Sequence, residues 1–180
     1  MIKYSFSDRD FLNADVNDDD LGLAVYKVRT LRHRWLSRSK KTTTISAGSN
    51  DFALATINWE QHILQIASEA VSLSKIQSYQ PSKRGIICRH FQWDSKHYEF
   101  GFDADENKWK ATASDQLHES ATFHPPRSAA SLGSASSNVA HGVISDENDK
   151  LFILMLFMIS EVQSRNRESS DRVLRTTNAF

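Results

Sequence analysis

Polar and apolar residues alternate over short distances along most of this chain. Leu23-Ala24-Val25-Tyr26-Lys27-Val28-Arg29-Thr30 mixes β-branched and aromatic residues with charges at alternate positions near its end. Phe52 to Trp59 is similar and follows the turn-like Gly48-Ser49-Asn50-Asp51. A period of two is how a strand with one buried face reads. Further strands are predicted at Ile2 to Phe6, Lys41 to Ser46, His62 to Ala67, Ala70 to Leu73, Ile86 to Trp93, His97 to Phe102, Lys108 to Thr112, Ala121 to His124 and Val139 to Ile144. Turn signals such as Pro81 to Gly85 and Asp103 to Asn107 separate them. Ile63 to Ser74 is the least distinct stretch, where Gln61-His62-Ile63-Leu64-Gln65-Ile66 also fits a helical turn. Asn13 to Asp20 reads as an acidic loop, and Pro125 to Asn138, rich in Ser and Ala, as an excursion between strands.

The pattern changes near position 147. Ser145-Asp146-Glu147-Asn148-Asp149 supplies N-cap candidates and negative charge suited to the positive end of a helix. Leu151-Phe152-Ile153-Leu154-Met155-Leu156-Phe157-Met158-Ile159 follows, then the polar Ser160 to Glu168. Leu, Met and Phe in this run favour helix, with a central strand as the alternative. About nine successive apolar residues at 3.6 per turn cover every side of a helix, so it must be surrounded rather than lie on a surface. The run is half of the roughly twenty residues a bilayer span requires, so no transmembrane segment is expected.

Many short strands with a terminal apolar helix imply a mainly β, single-domain chain. Its organisation reads as an N-terminal strand and acidic loop (1–22), a β domain over 23–168 with its helix from about 147, and a polar tail (169–180). Several motifs, in order, carry a resemblance. They are Tyr26-Lys27-Val28-Arg29-Thr30, Thr42-Thr43-Thr44-Ile45, Ala55-Thr56-Ile57-Asn58-Trp59, Arg89-His90-Phe91-Gln92-Trp93, Tyr98-Glu99-Phe100 and Lys108-Trp109-Lys110, then the apolar helix running into Glu161 to Arg167. Over roughly 23–168 the chain resembles an uncharacterised family of fungal proteins with the tubby-like fold, shared by tubby, LURP-one-related and phospholipid scramblase proteins. The resemblance implies a closed antiparallel β-barrel of about twelve strands around a central hydrophobic C-terminal helix. It implies little chemistry, since that family has no established activity. The sequence departs from the family's Asp-Gly turn, having Trp93-Asp94-Ser95-Lys96-His97.

Charge narrows the function classes. The 22 basic and 22 acidic residues balance, which argues against a nucleic-acid binder. They are unevenly spread: Asp8, Asp10, Asp15, Asp18, Asp19 and Asp20 precede a basic segment of Lys27, Arg29, Arg32, Arg34, Arg38, Lys40 and Lys41. These cations, around His33 and Trp35, are the candidate ligand-binding residues, suited to phosphates or an anionic membrane surface. Tubby proteins resemble this in using a basic outer face for phosphoinositide headgroups, without a matching residue motif here. The competing reading is a solvated connection balanced by Asp15 to Asp20.

Other chemistry is sparse. Asp15-Val16-Asn17-Asp18-Asp19 opens like a calcium loop, but Asp20 stands at the sixth position and Tyr26 at the twelfth, where Gly and Glu are required. His33, His62, His90, His97, His118, His124 and His141 fall in no metal-binding spacing, though His90 and His97 are expected to flank one turn. No catalytic, metal or cofactor residue is predicted. Trp59, Trp93 and Trp109 read as wall or core, and Trp35 as exposed. Cys88 is the sole cysteine, so no intrachain disulfide forms and a cytoplasmic setting is favoured, to which the basic segment adds peripheral membrane contact as an expectation. The expected function is a non-catalytic module for anionic lipid or another phosphorylated ligand. The alternatives are a protein–protein interaction domain, and then a scramblase-like protein or a hydrolase.

Overall fold

In a computed structural model the chain forms one 13-stranded antiparallel sheet and a long C-terminal helix. The structure describes residues 1–32, 40–79, 88–114, 119–126, 139–145 and 149–177, with side chains described up to 167 except at 79. The strands are β1 (Ile2–Phe6), β2 (Asp15–Asp18), β3 (Leu23–Arg32), β4 (Lys40–Ala47), β5 (Ala53–Asn58), β6 (Ile63–Ile66), β7 (Glu69–Ser72), β8 (Gln77–Tyr79), β9 (Cys88–Trp93), β10 (Lys96–Asp103), β11 (Lys108–Ala113), β12 (Ala121–His124) and β13 (His141–Ile144). A 3-10 turn, Phe11–Asn13, precedes β2, a helical turn α1 (Leu73–Ile76) joins β7 to β8, and α2 spans Lys150–Thr177.

Sequential strands pair as neighbours, and β1 pairs with both β2 and β13. The lateral order therefore runs from β7 back through β1, then from β13 down to β8. The closed barrel expected from the sequence is not formed. β7 and β8 are the two edges of an open sheet, and α1 occupies the chain between them. The reason lies in Leu73 and Ile76, which are both buried at a spacing of three. That spacing brings two side chains to one face in a helical turn and to opposite faces in a strand. The turn directs its backbone groups along its own axis, so no ladder joins the edges.

Inward positions supply the core: Tyr4 and Phe6 of β1, Val28 of β3, Ile45 of β4, Ile57 of β5, Leu64 of β6, Phe91 of β9, Phe100 of β10, Trp109 of β11 and Phe123 of β12. Every residue of α2 from Phe152 to Val162 is buried, and Phe152 to Ile159 and Val162 join the same cluster. Three turns without a wet face require the open sheet to wrap over the helix. Phe152 stacks on Trp93 at 4.8 Å, while Phe157 meets Phe100 at 5.0 Å and Phe123 at 5.5 Å. Burying each such side chain contributes about 1.5–3 kcal/mol. The helix continues through the mainly polar residues 169–177.

One local feature differs from the sequence expectation, and one turn departs from the family's pattern while keeping its form. Asp15–Asp18, read as loop, is β2, because Val16 is fully buried between β1 and β3. The β9–β10 turn, which lacks the Asp-Gly pair, is still a two-residue hairpin turn: Asp94 and Ser95 take φ of 44° and 64°. Positive φ at both central positions suits the twist of a hairpin.

Candidate functional site

The basic segment falls on β3 and β4, and most of its described cations already meet carboxylates. The Arg29 guanidinium donates to Asp15 at 2.7 Å and Arg32 to Asp10 at 3.0 Å, while Lys27 lies 3.4 Å from Asp51. Asp15 belongs to the acidic stretch thought to balance these charges; Asp10 and Asp51 lie outside it. All three pairs are solvent-exposed to a large degree. Such pairs contribute about 0–1 kcal/mol and exchange readily for another anion. Arg34, Arg38, His33 and Trp35 lie outside the described residues.

At the far end of β3 the cations crowd. Arg32 and Lys40 are direct cross-strand partners. Like charges in that position repel. Lys40 Nζ stands 6.0 Å above the Trp59 ring. Burial, then the neighbouring Arg32, pushes the Lys40 pKa down; Asp10 acts the other way, and Arg165 adds a further lowering. Arg165, from α2, is a member that reading the sequence missed. Its guanidinium lies 5.4 Å over Phe11, and its Nε donates to Glu161 at 2.6 Å. Lys41 is exposed at the same end of β4. Arg165 lies more than 120 positions from Lys40 in sequence, and only the seating of α2 brings it here.

Below this face a polar network ties helix to sheet. Glu161, buried, accepts from Trp109 Nε1 at 3.0 Å as well as from Arg165. Arg89, fully buried on β9, lies 5.4 Å over Trp109 and donates to Gln163, which also approaches Gln77 at 3.4 Å. An open cleft of about 390 Å³ beside α1 is lined by Ser74, Gln77, Gln163, Asn166 and Arg167.

The other sequence candidates disperse. Asp18 accepts from the backbone N–H of Asp20 and Leu21, which fixes the β2–β3 turn and occupies a carboxylate of the failed calcium loop. His90 and His97 do flank the β9–β10 turn but are paired with Glu99 and Gln92. His124 and His141 stack across β12–β13 with ring centres 4.6 Å apart, and His118 lies outside the described residues. Trp109 is fully buried, Trp93 packs on the core, and Trp59 packs there too while donating to Thr43 at 2.8 Å. Cys88, His90 and Glu99 form the one group among the described residues with metal-ligand chemistry. Burial, then Glu99, pushes the Cys88 thiol up to about 11. The carboxylate contacts the sulfur itself, the reverse of an activated nucleophile.

Among the described residues no helix is long and apolar enough to cross a membrane. A family model described as a family of unknown function, DUF6593, matches residues 9–166, from the approach to the 3-10 turn to the last polar residues beside Arg165. No curated protein and no solved structure matches the chain.

Proposed function

The chain belongs to the DUF6593 family, whose function is unknown, and from its own residues we propose a non-catalytic module that binds a phosphorylated ligand where Arg32, Lys40 and Arg165 converge. The observation that carries this reading is the direct opposition of Arg32 and Lys40 on β3–β4, with Arg165 of α2 acting on the same point. Asp10 offers these cations one exposed carboxylate, and Glu161 is shared with Trp109. A doubly charged phosphate relieves the repulsion that Asp10 only partly offsets. Lys41, exposed at the same end of β4, adds positive charge, and either an anionic lipid headgroup or a free phosphorylated molecule supplies the ligand chemistry. The proposed setting is cytoplasmic, with peripheral contact to an anionic membrane.

Kinship to the tubby-like proteins is proposed from the order of the strand motifs and the terminal helix, not from a closed barrel. A scramblase-like role draws no support, because Phe152 to Val162 spend their apolar surface on the core. A second reading, a protein-interaction domain without a small ligand, is favoured by the pairing of Lys27, Arg29 and Arg32 with carboxylates and by the exposed Leu21, Leu23 and Phe52.

Sedimentation with vesicles of neutral lipid, with and without a phosphoinositide, tests the first reading, alongside calorimetric titration with a soluble inositol phosphate. Binding that weakens with salt and is lost in Arg32→Glu/Lys40→Glu supports it. Binding to both probes identifies phosphate as the recognised group; binding to vesicles alone identifies the membrane surface. No binding to either at low salt, or equal binding by the double variant, overturns it in favour of the second reading.

A further inference from the structure

The outward face of β9 and β10 carries a group of side chains that the anion-binding reading does not use. Cys88 and His90 are two residues apart on β9, so both point away from the core while Arg89 between them is buried. The antiparallel register sets Glu99 opposite His90 and Gly101 opposite Cys88. Gly101 leaves the space across from the thiol open: an added Cβ there meets nothing within 4 Å. The Glu99 side chain reaches the sulfur, with its Oε1 3.3 Å from Cys88 Sγ. His90 Nε2 lies 3.6 Å from the same sulfur. The three donor atoms all lie within 4.8 Å of one another.

These separations have a specific chemical meaning. In a tetrahedral zinc site, with Zn–S near 2.3 Å and Zn–N or Zn–O near 2.0–2.2 Å, a sulfur ligand stands about 3.5 Å from each nitrogen or oxygen ligand. The Cys88–His90 and Cys88–Glu99 distances bracket that value. We propose that Cys88, His90 and Glu99 are the three protein ligands of a divalent zinc site, with the fourth position open to water.

The donor set selects the metal class. A thiolate and an imidazole suit Zn²⁺, whereas Ca²⁺ and Mg²⁺ take oxygen ligands. The thiolate and the carboxylate together neutralise the charge of the ion, and the thiol proton passes to solvent as sulfur takes the metal. The ligands stand on paired strands rather than loops, β9 being flanked by β8 and β10, so little ordering accompanies binding. Three ligands and an open fourth position are the arrangement of a site that can hold a water or a further ligand. The site stands apart from the cations of β3 and β4, and its fate in experiment is independent of theirs.

Chelator-treated full-length protein titrated with Zn²⁺ by calorimetry, and with Co²⁺ by absorption, tests the assignment. The expected results are one ion per chain and a thiolate-to-cobalt charge-transfer band in the near ultraviolet. Cys88→Ser should abolish the band, and Cys88→Ser, His90→Ala and Glu99→Gln should each weaken Zn²⁺ binding roughly tenfold or more. His97→Ala, one pair along the same face, should leave it unchanged. Because Cys88 is the sole cysteine, blocking the wild-type thiol with iodoacetamide repeats the test without altering the sequence. A folded wild-type protein without the charge-transfer band, or Zn²⁺ affinity unchanged by alkylation or by Cys88→Ser, overturns the assignment.

Discussion

Phe157→Ala tests the claim that α2 is enclosed rather than laid against the sheet. Phe157 is 1% exposed, midway along the buried stretch of the helix. Its ring meets Phe100 at 5.0 Å, nearly edge-on, and stacks on Phe123 at 5.5 Å. Those two walls belong to β10 and β12, each paired on both sides, so they cannot close over the space left behind. Truncating a buried Phe costs about 3–5 kcal/mol, the cost rising with the cavity that remains. Two lost ring pairs, each contributing about 0.5–1.5 kcal/mol beyond buried area, place this site near the upper end, at about 4–5 kcal/mol. Net stability for a domain is about 5–15 kcal/mol, so the variant should lose between about a third and all of it. At this chain length the thermal midpoint should fall by about 10–20 °C. Urea unfolding followed by circular dichroism, with a melt in parallel, measures both quantities. Phe157→Leu, which refills part of the space, should recover about half the loss. A destabilisation below about 1 kcal/mol in Phe157→Ala would refute the enclosure argument.

Three other outcomes are expected. Burial opposes ionisation of Asp149, but hydrogen bonds from Lys96 and Tyr98 hold its carboxyl below the ordinary value. A depressed carboxylate stabilises the fold above its unfolded pKa of about 3.9 and loses that contribution as pH falls through the folded value. Urea midpoints measured from pH 6 downward should therefore fall less steeply in Asp149→Asn than in wild type below pH 4. The metal-free Cys88 thiol, raised to about 11, should react with iodoacetamide at pH 8 roughly tenfold more slowly than an unperturbed thiol, a lower thiolate fraction being partly offset by a more nucleophilic sulfur, with the rate still climbing past pH 10. Gly48→Ala drives a Cβ to within 1.8 Å of the Ala24 carbonyl oxygen and should destabilise by about 1–3 kcal/mol in urea unfolding, whereas Gly101→Ala, facing open space, should change stability by less than about 0.5 kcal/mol.

Local patterning revealed those elements whose burial shows in their own residues. Leu151 to Ile159 announced an enclosed helix because no polar residue interrupts it. β1 and β12 were legible to the residue, since their alternation is undisturbed. β2 was not: three of its four residues are Asp or Asn, and its strand character comes from pairing on both sides. The open edge was hidden because Ala70 to Leu73 reads as a strand, while the burial of Leu73 together with Ile76 is a tertiary fact. In the basic segment, chemistry was visible but geometry was not. Arg32 and Lys40 could be named from sequence, yet their opposition depends on the β3–β4 register and Arg165 on the seating of α2. Cys88, His90 and Glu99 left no linear signature because they sit on two strands joined by a hairpin.

The pairing of β1 with β13 has a kinetic consequence. Each other ladder joins strands adjacent in sequence and closes a short loop, but this one joins residues roughly 140 apart. Chain-closure entropy grows slowly with separation, so the delay comes less from distance than from order of synthesis. Every strand is synthesised before Phe152 to Val162, the residues that fill the core. Until then the nascent meander has pairing but nothing to wrap, and its inward aromatic residues face water. Cooperative folding must therefore await α2, and until it is made the sheet's inward apolar face is the part of the chain exposed to aggregation.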